Sequence, residues 1–250
     1  MKTFLIENRA DYSKYQFNYN LFCIQETVEE IPEIYDSGYL PYSDHQVLQH
    51  LEKPVFYMAR SVRIRLENFN LTSENKRIRK RIGSVLKPSV SILNKTDLSK
   101  KEILDFAYAY AQKRMKGAMP YERLEFIWNH PLLNKVYRFD NQDDTIAYVW
   151  TNEHRDMIHY WFSFYDLKYF QLGLGKWIME QVISLAKEMG KKYIYLGTCY
   201  GQKSAYKIRD FRGIEFFDGN TWSTDIKKLK TKCKQDENGE TDKHDFEFLR

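Results

Sequence analysis

The spacing of apolar residues between Val136 and Tyr165 predicts a set of antiparallel β-strands. Three runs, VYRFD, TIAYVWT and MIHYWFSFY, alternate apolar or aromatic residues with polar ones at the period of two that is typical of strands. Strict alternation places Tyr160 and Phe164 on one face of the third run, and His159 and Tyr165 on the other. Both faces are rich in aromatic residues, so we expect this strand to be central, with His159 in a packing role rather than a catalytic one.

The next segment predicts a helix and then a buried strand. Residues 173–189 carry apolar side chains at helical spacing, namely Leu174, Ile178, Val182, Leu185 and Met189. Gly190 ends the helix, and the run KYIYLGT predicts the strand. Gly173 and Gly175 stand at the helix start, where backbone N–H groups without helical partners favour a negatively charged ligand. Alone, the run QLGLG is as typical of a tight turn as of a phosphate-binding loop.

The N-terminal half has a weaker pattern. The first 35 residues show no clear period, and residues 44–51 predict a short helix. Residues 56–69 alternate apolar with basic residues, as a half-buried strand does, and Ser73 is the predicted N-cap of a basic helix. Residues 88–98 are predicted to be a connection. Two helices are expected after it, the first with Tyr110 on its apolar face.

Positive charge is concentrated in one part of the chain. The protein has a formal net charge of +5, and the segment from Arg60 to Arg81 holds eight basic residues against Glu67 and Glu74. A charge run is usually a solvated face, but arginine predominates here, and its planar donors match phosphate oxygens. The sequence therefore predicts contact between this segment and nucleic-acid backbone phosphates.

A second basic group follows the predicted strand KYIYLGT. The loop GQKSAYKIRDFRG interleaves Lys203 and Lys207 with Tyr200 and Tyr206. Basic and aromatic residues beside an anion-binding turn predict a single pocket for a phosphate and a base.

Composition predicts a folded protein of the reducing cytoplasm. Hydrophobic residues make up 43% of the chain, which is enough to form a core. The cysteines Cys23, Cys199 and Cys233 are odd in number and far apart, so we expect neither a disulfide framework nor a metal site. No run approaches the roughly 20 apolar residues of a membrane span, so no membrane partner is expected. Residues 233–250 are predicted to be a disordered tail, because the run KQDENGETDKHD within them has no apolar residue.

The order of antiparallel strands, glycine loop, amphipathic helix and further strand resembles the acyl-donor half of the GNAT fold. Within it, FYDLKYFQLGLGKWIMEQVISLAKEMGKKYIYLGTCYGQKSAYK is similar to the C-terminal domain of the arginyl and leucyl tRNA-protein transferases. That family has FYDP, a short loop, SLG, a helix, YLGY, a lysine followed by YK and a phenylalanine, and then DG and a tryptophan. The matching positions are Phe164, Tyr165, Asp166, Leu172, Gly173, Tyr195, Leu196, Gly197, Lys203, Tyr206, Lys207, Phe211, Asp218, Gly219 and Trp222.

The resemblance covers residues 56–82 and 136–222 and has clear departures. Leu167 and Gly213 stand where the family has proline, and one residue is inserted between Tyr206 and Phe211. The cysteine cluster of the family's N-terminal part is missing. The sequence therefore lacks the residues that metal or redox control through that cluster would need.

The resemblance implies an α+β fold, a GNAT-like mixed sheet flanked by helices with a smaller N-terminal part. The expected division is an N-terminal region over 1–90 with the basic strand and helix, a transferase domain over 91–232, and the tail over 233–250. The implied activity moves arginine or leucine from charged tRNA to the N-terminal amine of a protein, the protein arginylation that creates an N-degron. Charged tRNA is then a co-substrate and no cofactor is expected; the sequence does not indicate an oligomeric state.

The resemblance also implies roles for individual residues. Tyr165, Asp166 and Tyr206 are the predicted catalytic residues. Asp166 would orient an amino group or accept a proton, and the alternative is that it only caps the loop. The predicted tRNA-binding residues are Arg63, Arg65, Lys76, Arg77, Arg79, Arg81, Gly173, Gly175, Lys203 and Lys207.

Two other functions fit the same pattern. An N-acetyltransferase that uses acetyl-CoA would share the fold, but Phe170 stands where the usual Q/R-x-x-G-x-G/A pattern has glutamine or arginine. A non-catalytic relative that only binds tRNA is the other alternative.

Overall fold

A computed structural model describes residues 1–11, 16–43, 52–115 and 117–237. The predicted short helix at 44–51, with the histidines His45 and His50, lies outside these ranges, as does most of the predicted tail.

Two sheets and a set of helices make up the described chain. The strands of the smaller sheet are β1 (Lys2–Asp11), β2 (Gln16–Ile24), β3 (Tyr39–Pro41) and β4 (Val55–Met58). The strands of the larger sheet are β5 (Ser61–Arg65), β6 (Pro88–Asn94), β7 (Lys135–Asn141), β8 (Asp144–His154), β9 (Met157–Tyr165), β10 (Tyr193–Thr198), β11 (Ile214–Phe217) and β12 (Trp222–Ser223). The helices are α1 (Ile31–Asp36), α2 (Ser73–Gly83), α3 (Lys100–Arg114), α4 (Tyr121–Asn129), α5 (Leu174–Glu188), α6 (Tyr206–Asp210) and α7 (Ile226–Glu237).

The larger sheet confirms the expected α+β class. Its strand order is β12-β11-β5-β10-β9-β8-β7-β6, with β9 in the interior, as its two aromatic faces predicted. Strands β9 and β10 are parallel and are joined through α5, whereas the other pairs of this sheet are antiparallel. The sheet is therefore mixed and flanked by helices, which is the GNAT-like arrangement that the sequence predicted.

One strand of the larger sheet comes from the N-terminal part of the chain. Strand β5 lies between β10 and β11 and pairs with both. The division of the chain at residue 90 stays a prediction, although β5 and the main sheet share one hydrogen-bonded layer. The smaller sheet, in the order β1-β2-β4-β3, packs around Tyr35 and Phe56 in a second core, which also contains Met157, Tyr195 and Phe217 of the larger sheet.

A β-bulge in β9 corrects the predicted faces of that strand. Trp150 of β8 pairs with Phe162, but Thr151 pairs with Tyr160, so Trp161 is an extra residue in β9. One extra residue reverses the alternation beyond it. Tyr160 and Tyr165 therefore pack in the same core, the one formed with α2 and α5, whereas strict alternation had placed them on opposite faces.

Other local predictions were wrong at surface elements. The predicted connection over 88–98 contains the edge strand β6, whose alternating pattern is weak because few of its side chains are covered. Strands β1 and β2 form a ribbon where no period was visible. Thr72, and not Ser73, caps α2 by accepting a hydrogen bond from the Asn75 backbone N–H. Helix α7 extends five residues past the predicted start of the tail.

Helix α2 is fastened to α5 by packing and by an ion pair. Ile78 and Ile82 of α2 lie in the same core as Ile178 of α5. Beside them, Arg79 donates from Nε and Nη2 to both carboxylate oxygens of Glu180, at 2.7 and 2.6 Å. The Glu180 side chain is only 2% exposed, so Arg79 neutralises a carboxylate that water does not reach.

The described helices include none that is both long and apolar enough to cross a lipid bilayer.

We predict that Arg79→Ala lowers the free energy of unfolding by about 1–3 kcal/mol, because it leaves the Glu180 carboxylate buried without its main partner. Chemical denaturation measures the change. The matched control is Arg77→Ala, which breaks an exposed pair with Glu74 and should cost less than about 1 kcal/mol. The double variant Arg79→Ala/Glu180→Leu should recover part of the loss, and a double variant that is less stable than Arg79→Ala would contradict this account.

Candidate active site

Strands β9 and β10 part at their carboxyl ends. Within the described chain, their ladder covers Met157 with Tyr193, Ile158 with Ile194, and His159 with Tyr195. Strand β9 nevertheless continues for six more residues, and β10 for three. The gap between the two parallel strands opens at the edge where β9 leads into the glycine loop, so a ligand at that edge would meet both.

The glycine loop owes its shape to a short 3-10 helix and one left-handed residue. Asp166 caps the 3-10 helix Leu167–Leu172 by accepting a hydrogen bond from the Lys168 backbone N–H at 2.9 Å. Gly173 then has a φ of +82°, a conformation that favours glycine, and α5 begins at the next residue. The first-turn N–H groups of α5 thus point to the same edge as the strand ends.

Gly175 makes room for Tyr165. A Cβ atom at Gly175 would lie 2.8 Å from the Tyr165 ring, which is closer than side chains can approach. Glycine at this position therefore lets the start of α5 pack directly against a tyrosine at the end of β9. The contact of Gly175 with tRNA stays a prediction.

Arg81 joins the basic helix to the glycine loop. Its Nε donates to the Leu172 carbonyl oxygen at 3.0 Å, and its Nη2 lies 3.2 Å from the point that a Cβ atom on Gly173 would occupy. Arg81 forms an ion pair with no carboxylate of the described chain. A cationic group with unused donors therefore stands beside the N-terminus of α5, where both favour an anion.

The other predicted arginines are held by carboxylates. Arg63 is buried between the rings of Tyr193 and Trp222, each 3.9 Å from its Cζ, and its Nε donates to Glu215 at 2.7 Å. Arg65 pairs with the other oxygen of Glu215, also through Nε. Arg77 and Arg79 pair with Glu74 and Glu180 as described above. Phosphate contact by any of these four would compete with an existing ion pair, and for Arg63, Arg65 and Arg79 the carboxylate partner is buried.

The predicted lysines differ in their surroundings. Lys76 on α2 and Lys203 in the loop after β10 are exposed and have no carboxylate partner in the described chain. Lys207 is half-buried, and its Nζ donates to the Thr198 carbonyl oxygen at 2.8 Å, at the parted end of β10. Burial lowers the pKa of Lys207 to about 8, so about a tenth of its amine is neutral at pH 7 and about half at pH 8.

Four tyrosines surround the parted strand ends. They are Tyr110, Tyr160, Tyr165 and Tyr206, which lie close enough for their hydroxyls to interact. Burial raises the pKa of Tyr206 to about 12 and raises the pKa values of Tyr160 and Tyr165 as well, so all three stay neutral hydrogen-bond donors. The Tyr160 hydroxyl is buried and makes no hydrogen bond of good geometry in the described chain, although the nearby Ser163 side chain partly offsets the effect of burial on its pKa.

The structure thus brings together part of the predicted site. Tyr165, Tyr206, Lys207, Gly173 and Arg81 border one edge of the sheet. Asp166 lies beside them, but its carboxylate caps the loop and pairs with Lys168 Nζ at 2.9 Å, which fits the alternative of a capping role. Its catalytic role stays a prediction.

Sequence reasoning missed three residues at this edge. Tyr110 was assigned to the apolar face of its helix, yet its ring lies 5.0 Å from that of Tyr165. Tyr160 was assigned only to a strand face. Arg114 stacks on Phe170 of the loop, with its Cζ 4.6 Å from the ring centroid. The sequence signal available was Tyr110 itself, because a tyrosine within an apolar helical stripe needs a polar partner for its hydroxyl.

His159 has the packing role that the sequence favoured. It is buried, its Nδ1 lies 2.9 Å from the Tyr35 hydroxyl, and burial lowers its pKa to about 3.

The large cavity of the structure lies away from this edge, and the described residues offer no metal site. A cavity of about 870 Å³ lies between β1, β2 and Trp222, and none of the residues that border the parted strands lines it. The described residues contain no group of three or more His, Cys, Asp or Glu side chains placed to hold a metal ion.

Several known proteins are similar to this chain in sequence or in backbone. Two strains of Cereibacter sphaeroides have an aspartate/glutamate leucyltransferase that is 25% identical to this chain over 173 residues, covering 65% of this chain and 60% of the relative. The chain therefore matches less than two thirds of that relative's length. Solved structures with a similar backbone include L-PGS from Bacillus licheniformis, with a TM-score of 0.45, 10% identity and coverage of 70% of this chain and 51% of that one. FemX is a second, with a TM-score of 0.44, 6% identity and coverage of 72% and 62%.

A family model described as "Arginine-tRNA-protein transferase, C terminus" matches residues 91–218, which is more than half of the chain. The match begins within the edge strand β6 and takes in the glycine loop, all four tyrosines and Lys207. On these grounds, the chain belongs to the arginine-tRNA-protein transferase C-terminal family.

Proposed function

We propose that this protein transfers an amino acid, arginine or leucine, from charged tRNA to the N-terminal amine of a protein in the cytoplasm, with no cofactor. The observation that carries the proposal is the position of Arg81 beside Gly173, at the edge where β9 and β10 part. This edge offers a cationic side chain, a helix N-terminus and neutral hydroxyl donors around one opening. Those groups match the 3′ end of a charged tRNA, which carries phosphate, ribose and an ester carbonyl.

The reaction needs positioning and one proton acceptor. The nitrogen of the acceptor amine bonds to the carbonyl carbon of the aminoacyl ester, and the bond from that carbon to the ribose oxygen breaks. One proton leaves the amine and one is gained by the ribose oxygen, so atoms and charges balance without a further reactant. Holding the amine and the ester in contact supplies most of the rate.

We assign the transfer of this proton to Lys207. Its neutral amine can accept the proton from the attacking nitrogen and, once charged, can supply one to the ribose oxygen. This role differs from the phosphate contact that the sequence suggested for Lys207. The hydroxyls of Tyr160 and Tyr206 are neutral donors, suited to the negative charge that develops on the carbonyl oxygen.

The first test mixes the purified protein with labelled arginyl-tRNA or leucyl-tRNA and with peptides of varied N-terminal residues. We expect label to move to at least one peptide from one of the two tRNAs, and the pair of assays identifies the amino acid. Absence of transfer from either tRNA, together with absence of tRNA retention on a filter, would refute the proposal. Retention without transfer would favour a relative that only binds tRNA.

A second test compares two arginines on the same helix. Arg81→Ala should raise the Kd for tRNA about tenfold and reduce the slope of log Kd against log salt by about 1, because it removes a charged donor at the anion site. Arg77→Ala is the matched control, since Arg77 is already paired with Glu74, and should change Kd by less than about threefold. Filter binding across a salt series measures both, and equal effects from the two substitutions would contradict the assigned site.

The pH dependence of transfer tests Lys207. Below pH 8 the acceptor amine and Lys207 must both lose a proton, so the logarithm of the single-turnover rate should rise with a slope near 2 and level off above about pH 8. In Lys207→Met the slope should fall to about 1, because only the amine titrates, and the rate should drop by about 10²–10⁴. The wild-type slope in this variant would show that another group accepts the proton.

A further inference from the structure

Helix α7 presents a row of lysines on a surface that lies outside the family match. The matched residues end at 218, and α7 begins at Ile226. Lys227, Lys230 and Lys234 are spaced by three and four residues, so they share one helical face over about 10 Å. All three are exposed, and none forms an ion pair with a described carboxylate.

The rest of α7 is used to hold the helix in place. Leu229 and Cys233 are fully buried in the main core. Asp236 accepts a hydrogen bond from Arg60 Nη1 at 2.8 Å and another from the Gly201 backbone N–H at 2.7 Å. The acidic end and the apolar face of α7 are therefore both occupied by the protein, whereas the lysine face is exposed.

The lysine face continues into a basic cleft. Lys230 lines a cleft of about 430 Å³ together with Arg209, Arg212, Asn68 and Gly213. Arg212 is exposed and has no described carboxylate partner, so its guanidinium is available. Lys230 and Arg212 thus border one opening without a described carboxylate partner, whereas Arg209 is paired with Asp210. Glu215 also lines the cleft and is already bonded to Arg63 and Arg65.

This cleft is connected to the glycine loop by a chain of contacts. Arg209 Nε bonds to Asp210 at 2.6 Å, and Lys176 of α5 bonds to the other oxygen of Asp210 at 2.8 Å. Lys176 is one residue beyond Gly175, in the first turn of α5. A strip of basic residues therefore runs from Arg81 and the glycine loop through Lys176 and the cleft to α7, and Asp210 neutralises one of the charges in its middle.

We propose that this strip, through Arg212 and the lysine face of α7, binds the sugar-phosphate backbone of the tRNA beyond its 3′ end. The inference rests on the proposed function, because it needs tRNA at the glycine loop. A row of flexible lysines contacts phosphates without reading bases, so the strip adds affinity and orientation rather than sequence preference. A membrane surface fits less well, since α7 has buried its apolar face and has none to insert into lipid.

The test replaces the lysine face and measures binding of deacylated tRNA to the full chain. The triple variant Lys227→Gln/Lys230→Gln/Lys234→Gln should raise the Kd for tRNA about tenfold. It should also reduce the slope of log Kd against log salt by about 1 for each lysine in contact with a phosphate. The matched control removes the same charge elsewhere with Lys2→Gln/Lys53→Gln/Lys101→Gln, three exposed lysines away from the strip. The control should keep the wild-type Kd within about twofold. Circular dichroism verifies that both variants fold, as exposed lysines allow.

The outcomes separate this inference from the proposed function. If the wild-type protein binds tRNA and Arg81→Ala weakens binding, but the lysine-face variant behaves like its control, the strip is refuted and the proposed function stands. If the wild-type protein does not bind tRNA at all, both fail. Binding of anionic phosphatidylserine vesicles that is lost in the lysine-face variant, with tRNA affinity unchanged, would assign the surface to lipid and overturn the inference.

Discussion

The ion pair between Arg79 and Glu180 is the contact on which the arrangement of the active-site edge depends. It fixes α2 across α5 beside the apolar packing of Ile78 and Ile82. Two residues after Arg79, half a helical turn further on, Arg81 then reaches the glycine loop. The basic helix thus contains arginines with two purposes. Arg79 neutralises a carboxylate that the fold has buried, Arg77 pairs with Glu74 at the surface, and Arg81 is left with donors for a ligand. A high count of basic residues in a segment therefore overstates the charge that a partner meets.

The bulge at Trp161 makes a comparable contribution from the sheet. By reversing the alternation of β9, it turns Tyr165 to the same side as Tyr160 and α5. Tyr165 then packs against Gly175, and the neutral hydroxyls collect around the opening. A regular strand would have placed Tyr165 on the opposite face, with α3 and α4. One inserted residue thus brings Tyr160 and Tyr165 of the tyrosine cluster to one side, and bulges are frequent next to active sites.

The sequence allowed the central features to be predicted, and the reasons for its failures are physical. The alternation in β9, the stripe of α5 and the glycines at its start reflect burial and backbone conformation, which leave a pattern in one chain segment. The bulge in β9 left no such sequence pattern, because an extra residue changes only how β9 pairs with β8. The carboxylate partners of Arg63 and Arg79 lie 152 and 101 residues away, so no local pattern could reveal that these charges were already used. The edge strand β6 was missed because an exposed strand needs little apolar alternation.

The position of β5 has a consequence for how the chain is made. This strand leaves the ribosome early, yet its neighbours in the sheet, β10 and β11, begin at Tyr193 and Ile214. At about 5–20 residues per second, β5 waits roughly 6–30 s for those partners. Until then a strand with buried Val62 and Ile64 has two unpaired edges, which is a state prone to wrong pairing. Arg63 and Arg65, which alternate with those apolar residues, keep the nascent strand charged during that time, so the same two arginines that later bind Glu215 also protect the unfinished sheet.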